Sequence, residues 1–184
     1  EDWDETLADE YDAFVVGSDQ VWRPYMSGHI ERYLTAFLGR NNAQRIAFSA
    51  SFGVDYDEYS DEERAMARSL MPMFNAVSVR EESGIKLCRE IFGIDAVCTL
   101  DPTMLLTSED YDNLSVEAPL SSGNLMTYIL DESQRTDEII DNVAKERGLT
   151  PFRVNSKVEQ GDNEPKLSNR QQPPVENWLR GFRD

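Results

Sequence analysis

Arg80 follows the run Ala76-Val77-Ser78-Val79 and precedes Glu81-Glu82-Ser83-Gly84. An arginine where a β-branched run ends and a helix begins suits an anion, because its planar fork meets phosphate or carboxylate with paired hydrogen bonds. The N-terminus of the following helix adds unpaired N–H groups and a favourable dipole. Ser83 caps that helix, binds the same anion, or does both. The alternative for Arg80 is a structural ion pair with Glu81, Glu82 or a distant aspartate.

Three further clusters stand at corresponding places. Gly17-Ser18-Asp19-Gln20 follows Ala13-Val16; glycine permits a tight turn and close backbone approach, and the hydroxyl, carboxylate and amide offer the mixed donors and acceptors that suit a sugar or a polar metabolite. Equally, Asp19 can cap the next helix while Ser18 satisfies the turn. Ser49, Ser51 and Gly53 follow Arg45-Phe48, where small residues admit a ligand or simply pack a loop. Asp101, held out of helical conformation by Pro102, follows Ala96-Leu100 and caps a turn or binds a hydroxyl. Trp22 is a stacking platform or, the better supported reading, a core aromatic.

Other chemistries leave no trace. The single histidine, His29, has no obvious partner, and no Ser-His-Asp order, Walker loop, Gly-x-Gly-x-x-Gly or His/Cys metal set is present. No metal or cofactor is therefore expected. Cys88 and Cys98 lie in apolar surroundings and read as buried, reduced thiols, which points to a cytoplasmic location.

The elements that position these clusters follow from periodicity. Each of the four apolar runs is too short for a helix and reads as a buried strand. Between them, His29–Leu38 has a helical face of Ile30, Tyr33, Leu34 and Phe37. Ser60 with Glu63 forms a capping box that opens a helix reaching about Phe74. Glu81–Phe92 is a helix with Ile85, Cys88, Ile91 and Phe92 inward, closed by Gly93. Strands alternating with helices predict an α/β fold with a Rossmann-like parallel sheet and right-handed crossovers, which brings all four clusters to one end of the sheet. Thr107 and Asp110 cap another helix. A linker follows at 115–124, so the predicted domains are 1–116 and 117–184. The second comprises a strand at Leu125–Leu130, a helix at Ser133–Arg147 stopped by Gly148, a strand at Pro151–Val154, a polar loop at 158–172 and a helix at Pro174–Arg183 with Trp178 and Leu179 inward. That domain reads as incomplete, and the whole as a piece of something longer.

Composition narrows the partners. A formal net charge of −17 over 184 residues argues against a nucleic-acid partner, which needs lysine and arginine to neutralise phosphates. No stretch approaches the roughly 20 apolar residues of a membrane span, and Glu1-Asp2-Trp3-Asp4-Glu5 is unlike a signal peptide. Of the 18 basic residues only 4 are lysine, so the cations present are mostly those that form bidentate anion contacts.

Taken in order, Phe14–Trp22, Arg45–Gly53, Ala76–Gly84 and Val97–Leu106, with Pro173-Pro-Val-Glu-Asn-Trp-Leu179, resemble the polysaccharide pyruvyl transferase family. The resemblance implies a glycosyltransferase-B-like pair of Rossmann-like domains with the active site between them. It implies transfer of the enolpyruvyl part of phosphoenolpyruvate to two hydroxyls of a sugar in a surface polysaccharide precursor, forming a pyruvate ketal. By motif, Arg80 is then a ligand of the donor's phosphate or carboxylate, and Gly17–Gln20 lies at the crevice. Two family segments are missing: an Asn-Tyr-Gly loop near the start, and a Ser-Phe-His-Gly segment after the Trp-Leu helix whose histidine is the expected general acid or base. The isolated chain is accordingly expected to be inactive. Its open sheet edges invite homo-oligomers. A nucleotide-sugar-dependent glycosyltransferase, and a non-catalytic member binding glycan or protein, are the competing functions.

Overall fold

The computed structural model describes residues 7–129, 132–154 and 174–184. Its contacts divide the chain into two compact units, Glu1–Leu105 and Leu106–Asp184.

In the first unit four parallel strands, β1 (Ala13–Val16), β2 (Gln44–Ala50), β3 (Ala76–Val79) and β4 (Val97–Cys98), lie in chain order across one sheet. Right-handed crossovers that always step in the same direction place their helices on one face. Helices α3 (Ile30–Tyr33), α4 (Asp61–Leu70) and α5 (Glu82–Leu87) accordingly send Ile30, Ala67 and Leu87 into a single core with Ala47 and Val79 of the sheet. Trp22, Phe52, Tyr59 and Phe92 interlock at its centre; the Trp22 ring lies 5.2 Å from Phe92 and 5.6 Å from Phe52. Trp22 is thus a core residue, fully buried, with its Nε1 donating to the Tyr33 carbonyl.

The strands mostly fall where the apolar runs predict them, and the differences have local causes. β2 continues past Phe48 to Ala50 through an irregularity between Ala47 and Ala50, where Ser49 takes a positive φ of 52°. The buried Ser78 hydroxyl repairs the interrupted ladder by accepting from the Ser49 N–H at 2.9 Å and donating to the Ala47 carbonyl at 3.3 Å. β4 keeps only two residues of the predicted Ala96–Leu100, because this edge strand has a neighbour on one side alone. That position also exposes Cys98, which corrects the expectation of a buried thiol; Cys88 is buried, and burial pushes its thiol up to about 12.

The helices show the same pattern. The Ser60–Glu63 capping box forms as predicted, but the α-helix ends at Leu70 and Met71–Met73 tightens into a 3₁₀ turn. Pro72 explains the change, since its ring would clash with the carbonyl of Arg68 in a continued α-helix. The predicted His29–Leu38 helix is broken by Thr35, in the left-handed region at φ 58°, into α3 and a 3₁₀ turn at Ala36–Leu38. The predicted Glu81–Phe92 helix begins one residue later, at Glu82 after an extended Glu81, and widens to a π-helical turn at Cys88–Phe92, closed by Gly93 at φ 74°. Short helices α1 (Leu7–Glu10) and α2 (Pro24–Ser27) flank β1.

The second unit pairs parallel strands β5 (Leu125–Thr127) and β6 (Pro151–Arg153) around α7 (Gln134–Arg147), which Ser133 caps and Gly148 ends at φ 65°. Helix α6 (Ser108–Ser115) opens with the predicted Thr107–Asp110 box. In α8 (Val175–Arg183) Gly181 is the buried residue: a side chain there would meet the Met126 sulfur and the Phe152 ring. Trp178 and Leu179 are half-buried. The predicted loop at 158–172 and the end of the strand at Leu130 lie outside the described residues. Among the described residues no helix is long and apolar enough to cross a membrane.

Candidate functional site

The C-terminal ends of the four parallel strands of the first unit carry one connected polar network. Arg80 sits where β3 ends, its N–H fixed by the Ala50 carbonyl of β2 at 3.1 Å. Its side chain spans outward: Nε donates to Glu81 at 3.1 Å, and Nη1 donates to Asp101, beyond β4, at 3.2 Å. Burial lowers the affinity of the guanidinium for its proton, but the hydrogen bonds of the two carboxylates outweigh it and the net shift is upward.

Asp101 is the best-held group in the network. One carboxylate oxygen accepts from the Thr103 N–H at 2.9 Å and from the Thr103 hydroxyl at 2.8 Å, while the other accepts from Arg80. With a further hydrogen bond from Ser18, these contacts hold its carboxyl down at about 2. Asp101 is therefore a carboxylate at any ordinary pH, an acceptor and an orienting group for Arg80, and unsuited to deliver a proton. Sequence offered Asp101 as a turn cap or as a polar ligand; it caps the turn with one oxygen and reaches the strand-end arginine with the other.

The two serines after β2 are tied inward. Ser49 Oγ is 2.9 Å from the Thr99 hydroxyl and donates to the Leu100 carbonyl at 2.6 Å, which binds the β2 end to the loop after β4. Ser51 donates to Glu81 at 2.8 Å and accepts from the Gly53 N–H at 2.9 Å. Both are fully buried, so they brace the network from beneath. Ser83 lies in the first turn of α5 with no hydrogen bond from its side chain to the network among the described residues.

Gly17–Gln20 forms the flank next to β1. Gly17 has φ +142° and the Gly17–Ser18 peptide is cis; a side chain on Gly17 would run into the Phe48 carbonyl, so glycine is needed for the β1 turn to lie against β2. Ser18 reaches Asp101, whereas Asp19 caps the Gln20 N–H at 2.7 Å and its carbonyl accepts from the Ser51 N–H at 3.1 Å. Asp19 and Gln20 line a cavity of about 290 Å³ with Val21, Met26, Ser27 and Tyr33. The Ser27 hydroxyl there is buried and lacks a hydrogen-bond partner among the described residues.

The structure thus brings Ser51, Glu81, Arg80 and Asp101 into one hydrogen-bonded set, with Ser18 close to Asp101, Ser49 beneath the set and Asp19 and Gln20 beside it. The ion pairs that sequence offered as the alternative for Arg80, with Glu81 and with a distant aspartate, are both formed, and Thr99 is the member that sequence reasoning missed altogether. The signal for Glu81 was its place beside Arg80, and for Thr103 the Asp-Pro-Thr spacing that lets a threonine cap an aspartate two residues back. His29 is exposed, 3.0 Å from Glu31, and outside the network. No group of three or more His, Cys, Asp or Glu side chains capable of holding a metal occurs among the described residues.

The oriented arginine, carboxylates and hydroxyls stand at the carboxyl ends of the strands of an α/β protein, the place where open α/β sheets form their binding crevice. The sequence model of the polysaccharide pyruvyl transferase family matches residues 2–178, and the chain belongs to that family. Among curated proteins and among solved structures, none matches. Membership points to pyruvyl transfer onto polysaccharide.

Proposed function

We propose that the strand-end network is the donor-binding part of a pyruvyltransferase that uses phosphoenolpyruvate and a sugar acceptor. In that reaction C3 of the enol takes a proton and the first sugar hydroxyl adds to C2 as it loses its own. The bond from C2 to the phosphate oxygen breaks, inorganic phosphate leaves, and the second hydroxyl closes the ketal as its proton departs. The observation that carries the reading is Arg80, presented at the end of β3 and oriented by an aspartate that stays ionised.

Arg80 holds the donor's phosphate or carboxylate through the side of the guanidinium that Glu81 now occupies, with Ser83 as a second contact. As found, one guanidinium faces two carboxylates, so a donor anion competes with Glu81 for Arg80, and Glu81 is the partner that yields. Asp101 keeps the fork aligned while this happens. The cavity beside Asp19 and Gln20 takes the sugar acceptor, whose hydroxyls satisfy the Ser27 side chain. We further assign the chain a glycosyltransferase-B-like architecture with domains at 1–116 and 117–184.

Titration calorimetry with phosphoenolpyruvate tests the donor role. Removing a charge-assisted hydrogen-bonding pair costs about 1.5–3 kcal/mol, so Arg80→Ala weakens binding by about tenfold or more. Arg80→Lys recovers part of the loss, because lysine keeps the charge without the fork. Unchanged affinity in Arg80→Ala overturns the assignment.

A further inference from the structure

The other end of the same sheet holds a buried cation without a counter-ion. Arg45, the second residue of β2, is 1% exposed. Its Nη2 donates to the Gly39 carbonyl at 2.7 Å and its Nη1 faces the Met73 sulfur at 3.3 Å. It forms no ion pair among the described residues. A buried, unpaired charge is expensive, and one carbonyl and one thioether, a weak acceptor, offset little of that cost. Burial alone accounts for the downward shift of this guanidinium from its ordinary value.

Arg45 borders a cavity of about 440 Å³ lined also by Arg40, Asn41, Asn42, Met73 and Asn75. In a chain of net charge −17 this lining contains two arginines, three asparagines and no carboxylate. Arg40 likewise forms no ion pair among the described residues. The amide oxygen of Asn75 accepts from the Arg45 N–H at 2.9 Å, and the Asn75 N–H donates to the Arg45 carbonyl at 2.8 Å, which fixes the cavity floor to β2 and keeps the Asn75 amino group as a donor. Two like charges with the Asn75 amino group beside them suit a small oxyanion.

We propose that this cavity is an oxyanion site, taking inorganic phosphate or the phosphoryl group of a phosphomonoester at the exposed Arg40, with Arg45 exchanging its weak Met73 contact for the anion. It is separate from the Arg80 network: the two lie at opposite ends of β2, roughly 16 Å apart at 3.3 Å per residue. The site therefore binds its anion whether or not Arg80 is present.

Titration of inorganic phosphate at constant ionic strength, in an Arg80→Ala background, isolates it. The expected result is saturable binding, with the Arg45 Nε–H resonance shifting along the same isotherm. Arg40→Ala, an exposed position whose loss leaves the fold intact, weakens that binding about tenfold or more. Arg45→Met abolishes it, and in phosphate-free buffer that variant is at least as stable as its parent, because it removes the uncompensated charge. Glycerol 3-phosphate run in parallel distinguishes the sources: tighter binding than phosphate assigns the site to an ester, weaker binding to the free ion. No saturable phosphate binding in the Arg80→Ala background, or binding that Arg40→Ala leaves unchanged, overturns the proposal.

Discussion

Asparagine in place of Asp101 keeps the shape of the strand-end network and removes the charge around which it is organised. The Asp101 carboxyl is held at about 2, against an ordinary 3.8, first by the backbone and hydroxyl of Thr103 and then by Arg80 and Ser18. At about 1.4 kcal/mol for each pKa unit, that difference bounds the contribution of the charge at about 2.5 kcal/mol. The side chain keeps 23% exposure, and solvent screening reduces the expected cost of Asp101→Asn to about 1–1.5 kcal/mol at pH 7. The folded value lies below the unfolded one, so this stability is complete above about pH 5 and drains away as pH falls through the folded value. Urea unfolding of both proteins, followed by tryptophan fluorescence from pH 7 to pH 3, gives the test. The gap between them narrows to about half by pH 3. A gap that does not change with pH, or none at pH 7, refutes the picture of an ionised Asp101 organising the strand ends.

Other positions give sharper structural outcomes. Trp22→Ala costs about 3–5 kcal/mol by urea unfolding, as expected for a fully buried aromatic, and leaves the phosphoenolpyruvate affinity of the folded protein unchanged; lost affinity at full stability would restore the stacking role. Gly17→Ala, which drives a methyl group into the Phe48 carbonyl, destabilises far more than Gly148→Ala, where φ is also positive but nothing lies within 4 Å. Thermal unfolding of the pair shows the second near the roughly 1 kcal/mol of a strained C-cap and the first well beyond it. Ser60→Ala loses the capping box of α4 at about 1 kcal/mol.

What sequence could reveal was whatever rests on neighbours in the chain. β1 and β3 coincide with their apolar runs, and the capping boxes at Ser60 and Thr107 and the left-handed closure at Gly93 follow from residues three or four apart. What escaped depends on partners far along the chain. The left-handed turn at Thr35 interrupts a helical pattern that the side chains alone supported, and the exposure of Cys98 follows from β4 being an edge. The site divides in the same way. Arg80 and Asp101 were visible as strand-end residues, but their hydrogen bond joins positions 21 residues apart, and the burial of Ser49 and Ser51 beneath them required the register of β2 against β3. The unpaired Arg45 gave no signal at all, since an arginine opening a strand reads as an ordinary polar edge.

The most direct test of the donor site is a crystal structure of the chain soaked with phosphoenolpyruvate. The account predicts the ligand's phosphate or carboxylate within hydrogen-bond distance of the Arg80 guanidinium, with the Glu81 contact released and the Asp101 contact kept. Arg80 still paired to both carboxylates while the ligand sits elsewhere would contradict it.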